Sequence, residues 1–121
     1  MKIETELMRG AGPVAVLKLL EKREMYGYEL VEALAARSDG LLVMGQSTLY
    51  PMLYNLEAKE LVSSRWDEGD GRPRKYYQLT AKGRKTLASA TKEWRHLAQA
   101  MTALGVLFGG TTDPAGVELA P

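Results

Sequence analysis

The chain has 121 residues, 16 basic and 15 acidic, with one histidine and no cysteine. That length suits one compact domain with an added arm, and a hydrophobic content of 45% suits a folded chain, not a disordered one. The composition excludes disulfides, thiolate metal sites and a cysteine nucleophile, and the single His96 does not furnish a histidine metal site within one chain.

Residues 1–12 read as a mixed lead-in. Pro13 opens a first helix, where its missing N–H is not needed. Val14, Leu17 and Leu20 recur every third residue, with Val16 and Leu19 widening the stripe, and the helix ends near Lys22-Arg23. Met25 to Tyr28 is a connector. Glu29 to Arg37 forms a second helix with Leu30, Val31 and Leu34 inward, and Ser38-Asp39-Gly40 breaks it.

The spacing predicts a third helix over Ser47 to Glu60, capped by Ser47 or Gln46. Leu49, Leu53 and Leu56 form its buried stripe. Pro51 belongs in the first turn, because its ring removes an N–H. Opposite the leucines lie Ser47, Pro51, Tyr54, Asn55 and Ala58, with Tyr50 at the edge; this face has no acid. Leu61 to Asp67 alternates as a strand, with Val62, Ser64 and Trp66 on one side and Ser63, Arg65 and Asp67 on the other. Glu68 to Pro73 is a turn. Arg74 to Leu79 returns, with Tyr77 and Leu79 on one face and Arg74, Tyr76 and Gln78 on the other.

Thr80 caps a long helix over Ala81 to Phe108, which Gly109-Gly110 ends. Leu87, Trp94, Met101 and Phe108 recur at heptad spacing, and Ala90, Leu97 and Leu104 fill the second position. A small domain covers only the first turns, so the seam from Trp94 onward calls for a partner, most simply a second copy. Residues 111–121 read as a frayed tail. The Met1-Lys2-Ile3-Glu4 start lacks a signal-peptide pattern, and the apolar run Leu41 to Met44 is far too short to span a membrane. The expectation is a soluble cytoplasmic protein with no membrane partner.

The near-zero net charge is a cancellation. From Arg72 to Lys92 there are seven basic residues and no acid; the remainder holds nine basic against fifteen acidic. Three helices followed by a hairpin make a winged helix-turn-helix, mainly α with a small β-hairpin. Its third helix is built to enter the major groove of double-stranded DNA. The candidate DNA contacts are Ser47, Thr48, Tyr50, Tyr54 and Asn55 on that helix and Arg72, Arg74 and Lys75 on the hairpin. Asn pairs with adenine edges, Ser with several bases, and Tyr hydroxyls and cations with phosphate. Lys82, Arg84 and Lys85 follow on the long helix, whose turns do not aim all three at one duplex; a solvated face explains them equally. Tyr50 also suits a purely structural role between helix and wing.

The stretch Ser47-Thr48-Leu49-Tyr50-Pro51-Met52-Leu53-Tyr54-Asn55-Leu56-Glu57 resembles the S-x-LYP-x-L-x-x-LE signature of the PadR family of transcriptional regulators. Tyr26-Gly27-Tyr28-Glu29-Leu30 resembles that family's GYEL element. Gly71 through Arg84 resembles its G-R-x-R-K-Y-Y-x-LT-x-x-G wing and exit. The resemblance covers about residues 8–108 and points to the small members with a single C-terminal helix.

It implies a homodimeric repressor binding pseudo-palindromic operators, organised as a winged domain over 1–80, a dimerisation helix over 81–108 and a flexible tail over 109–121. The dimer residues would be Leu87, Trp94, Leu97, Met101, Leu104 and Phe108. Some small members hold flat aromatic ligands between their dimer helices, which implies a small aromatic or phenolic effector at Trp94, Leu97 and Met101; a plain packing role for Trp94 is the competing reading. No cofactor, metal or enzymatic activity is expected, since no phosphate loop or nucleophile–base pair is present. A winged-helix module that binds protein instead of DNA is the alternative function, and salt dependence separates the two.

Overall fold

The computed structural model describes residue 3 and residues 5–108. The elements in order are α1 (Thr5–Leu20), β1 (Met25–Tyr26), α2 (Gly27–Arg37), α3 (Gln46–Ala58), β2 (Val62–Asp67), β3 (Arg74–Leu79) and α4 (Ala81–Leu104). The three strands form an antiparallel sheet in the order β1-β3-β2. This is a winged helix-turn-helix with a third short strand. Residues up to Leu87 form one compact unit and those from Ala88 a second, the boundary falling within α4.

The boundaries of all four helices differ from the sequence reading. α1 starts at Thr5, so Pro13 lies inside the helix and not at its first turn. The ring withholds the N–H that the Arg9 carbonyl would accept. Tertiary packing overrides that local cost: Met8 is buried in the core, and Gly12 lets the helix close on Met52 and Met44. α3 is capped by the backbone of Gly45, whose carbonyl accepts from Thr48 and Leu49 at 3.1 and 3.0 Å. Neither Gln46 nor Ser47 is its cap, and Pro51 stands in the second turn.

α4 stops at Leu104, short of Phe108. Gly105 takes φ 89°, its N–H donates to Thr102 O at 3.0 Å, and Val106 N–H reaches Met101 O at 2.8 Å. That pair of bonds is the Schellman closure of a helix end. Phe108, at φ 52°, therefore lies beyond the helix and does not extend the heptad seam. The expected tail and its Gly109-Gly110 stop lie outside the described residues.

Met25-Tyr26, within the expected connector, is a short strand. It pairs with β3 in the register Met25↔Tyr77 and Tyr26↔Tyr76. Glu29 then reaches back to accept from the Tyr26 N–H at 3.1 Å, so α2 begins at Gly27, two residues before the expected start. The core gathers Val16, Leu17 and Leu20 of α1, Leu30 and Leu34 of α2, Leu49, Leu53 and Leu56 of α3, and Val62, Tyr77 and Leu79 of the sheet. Leu87 joins it at 3% exposure. Leu87 is thus covered within its own chain and is not part of an exposed dimer stripe. Thr80 does cap α4, accepting from Gly83 N–H at 2.9 Å while its hydroxyl donates to the Glu60 carbonyl at 2.7 Å.

Candidate nucleic-acid interface

α3 buries its three leucines, which turns its other side outward. Ser47, Thr48, Pro51, Tyr54, Asn55 and Ala58 are all exposed and Tyr50 is half-buried. Pro51 also leaves the Ser47 carbonyl without its i+4 donor. Tyr50 is partly structural: its phenol lies against Gly27 so closely that a Cβ there would collide with it. Its ring stands 6.3 Å from that of Tyr54. The one acid of α3, Glu57, is engaged by the wing. Ser64 Oγ donates to its Oε2 at 2.7 Å, and Lys75 Nζ lies 3.9 Å from its Oε1.

The register separates the hairpin into two faces. Val62↔Leu79, Ser64↔Tyr77 and Trp66↔Lys75 share the face toward α3; Arg65↔Tyr76 and Asp67↔Arg74 share the other. On the α3 side, Lys75 Nζ stands 5.8 Å from the Tyr54 ring and 5.6 Å from the Tyr77 ring. On the far side, Arg74 lies 4.8 Å over the Tyr26 ring and pairs with Asp70 at 3.5 Å. Tyr26 and then Asp70 push the Arg74 guanidinium above its usual range. Arg65 there pairs with Glu24, holding that carboxyl below the usual range, and stacks 5.1 Å over Tyr76.

The structure therefore brings Lys75 to α3 and turns Arg74 away, onto β1. Arg72 sits exposed in the turn. Lys82, Arg84 and Lys85 are exposed on the first turns of α4, with Arg84 within electrostatic reach of Glu21 at the end of α1.

A cleft of about 570 Å³ opens beside the exposed face of α3, bounded by Thr48 and Asn55 and by Met8, Arg9, Met44 and Met52. The sequence gives no sign of it, because Met8 falls in the irregular lead-in before the first apolar stripe. The sequence reading also assigns nothing to Trp66, which is 64% exposed beside Lys75; strict alternation in β2 is the available signal. In the second unit, Trp94, Leu97 and Leu104 are exposed at 42, 49 and 76% and Met101 is partly covered. Among the described residues there is no cluster of three metal-ligating side chains, and no helix long and apolar enough to cross a membrane.

Residues 16–89 match the Transcriptional regulator PadR-like family. A transcriptional regulator of Mycobacterium tuberculosis is 30% identical over 92% of this chain and 95% of its own length. Among solved structures, a PadR family transcriptional regulator from Eggerthella lenta is 36% identical at a TM-score of 0.73, covering 82% of this chain and 85% of that one. A transcriptional regulator from Clostridium thermocellum is 27% identical at a TM-score of 0.77, covering 82% of this chain and 97% of that one.

Proposed function

The chain belongs to the PadR-like family of transcriptional regulators, and from that premise we propose that it is a homodimeric repressor binding pseudo-palindromic DNA through α3 and the wing. One observation carries the reading: the outward face of α3 has no acid, and the wing sets Lys75 beside it while Ser64 and Lys75 engage Glu57. In this arrangement Asn55, Ser47 and Thr48 read base edges and the Tyr54 hydroxyl, Lys75 and Arg72 hold phosphates. Arg74 braces the wing against β1. Two α3 helices then meet successive major grooves with centres about 34 Å apart or a multiple of it.

The apolar positions Trp94, Leu97, Met101 and Leu104 supply the seam for the second copy. A flat aromatic effector between the paired seams at Trp94, Leu97 and Met101 would tilt one winged unit against the other. Such couplings are worth about 1–3 kcal/mol.

Selection of bound duplexes from a random pool tests the reading. A two-fold symmetric site with that half-site spacing is expected. Recovery of no preferred sequence, with affinity independent of salt, would favour a protein-binding module instead.

A further inference from the structure

We infer that Trp66 is a DNA-contacting side chain, an aromatic plate that closes on the sugar–phosphate backbone at the edge of the groove α3 enters. This rests on the reading of the chain as a DNA-binding regulator. Trp66 stands on the hairpin face whose inner residues, Val62, Tyr77 and Leu79, are buried in the core. It lies past the end of that core and is 64% exposed, so the fold makes little use of its apolar surface. Lys75, its cross-strand partner, reaches the Tyr54 ring and Glu57 of α3. Trp66 is thereby placed on the side of the wing that adjoins the outward face of α3.

The chemistry of this side selects the ligand. Of the wing acids, Asp67 and Asp70 are paired with Arg65 and Arg74, the cations of the opposite face, and Glu68 is exposed in the turn. The α3 side offers the Trp66 indole, the Tyr54 phenol ring and the Lys75 ammonium, which lies 5.8 Å from the Tyr54 ring and belongs to the cross-strand partner of Trp66. A protein-docking surface presents a contiguous apolar patch. Here the large exposed apolar groups are interrupted by a charge, which suits a ligand that alternates apolar and anionic parts. The sugar and phosphate of a duplex backbone do so at each nucleotide. A Trp ring has enough surface for partial burial to matter and is rigid when it makes contact.

The contact is apolar, and that separates it from the cations around it. With the full chain and a selected or random duplex of about 30 base pairs, long enough for two half-sites, Trp66→Ala is expected to weaken binding about tenfold. The slope of log affinity against log salt should stay unchanged, because no phosphate charge is released. Trp66→Phe should recover most of the loss. With Trp94 replaced by Phe, so that Trp66 is the one indole left in the chain, the duplex should quench the tryptophan emission. Circular dichroism confirms that each variant is folded. Unaltered affinity for Trp66→Ala, or no quenching in the Trp94→Phe chain, overturns the inference and leaves the DNA reading standing. An unsubstituted chain that binds no duplex at low salt overturns that reading, and the inference falls with it.

Discussion

The Ser64 hydroxyl donates a 2.7 Å hydrogen bond to the Glu57 carboxylate and so ties the wing to the last turns of α3. The bond is partly buried and its acceptor is charged. Such bonds contribute about 1–2 kcal/mol. Ser64→Ala should lower the melting temperature by about 4–8 °C, the shift that roughly 1 kcal/mol produces in a domain of this size. Ser64→Thr should keep most of the stability. Thermal denaturation at neutral pH checks both, and an unshifted Ser64→Ala would show that the wing is held by other contacts.

The two wing cations should part company on substitution. Lys75 adjoins α3, whereas Arg74 is stacked on Tyr26 and paired with Asp70. Lys75→Ala and Arg72→Ala are each expected to reduce the salt slope of DNA binding by about 1. Arg74→Ala should leave the slope unchanged while weakening the β1–β3 junction and lowering thermal stability. Titrations at several salt concentrations distinguish them. A slope that drops equally for Arg74→Ala would place Arg74 on the duplex.

These residues also mark how far the sequence could be read. Helix order, the leucine stripe of α3 and the two hairpin faces were legible because apolar periodicity reports burial directly. The alternation already set Arg74 and Lys75 on opposite faces; Tyr26, the aromatic partner of Arg74, comes from a strand of two residues that no period can reveal. Pro13 misled for a related reason, since the burial of Met8 that carries α1 past it is a tertiary effect. Gly105 was a readable stop, but the apolar Val106, Leu107 and Phe108 after it continued the heptad and hid it. Leu87 fitted the heptad equally well, and only the fold decides that it is core.

Gly83 should be among the least replaceable residues of the winged unit. It lies in the first turn of α4 against the Leu61 carbonyl, where a Cβ would overlap backbone that also accepts from the Thr80 N–H at 3.1 Å. Gly is otherwise a weak helix former, and Ala would normally gain roughly 1 kcal/mol. Gly83→Ala is expected to reverse that sign and destabilise by about 2 kcal/mol or more, since the clash is with main chain. Urea denaturation measures it. A stabilised variant would mean that α4 and the Leu61 turn can separate freely.

Tyr77 gives the fold an alkaline limit. Its ring is wholly buried, and its hydroxyl has no hydrogen-bond partner among the described residues. Burial first, and then the Glu57 charge, push the phenol up to about 12. Below pH 10 the phenol is neutral in both folded and unfolded chains, and the group favours neither. As pH rises from about 10 toward 12, the unfolded chain releases this proton while the folded one keeps it, so stability falls. Tyr77→Phe removes both the unpaired hydroxyl and that loss. It should be at least as stable at neutral pH and show a shallower decline in melting temperature above pH 10. An identical decline would mean that Tyr77 ionises in the folded chain as readily as in the unfolded one.

The seam prediction depends on where α4 leaves the core. Leu87 is buried at 3%, whereas Trp94, Leu97 and Leu104 are exposed and Met101 is only partly covered. Their spacings of three, four and three residues place them on one stripe of the helix. A carboxylate at Met101 would have to be buried unpaired in a two-helix seam, which costs several kcal/mol. Met101→Asp should therefore weaken the dimer by a factor of about 100 or more and yield monomers in sedimentation velocity. The winged unit should keep its helicity, because Met101 lies outside it. Leu87→Ala should do the opposite, losing about 2–5 kcal/mol of folding stability through a core cavity while the folded fraction still pairs. A Met101→Asp protein that sediments as a stable dimer would put the contact between copies on another surface.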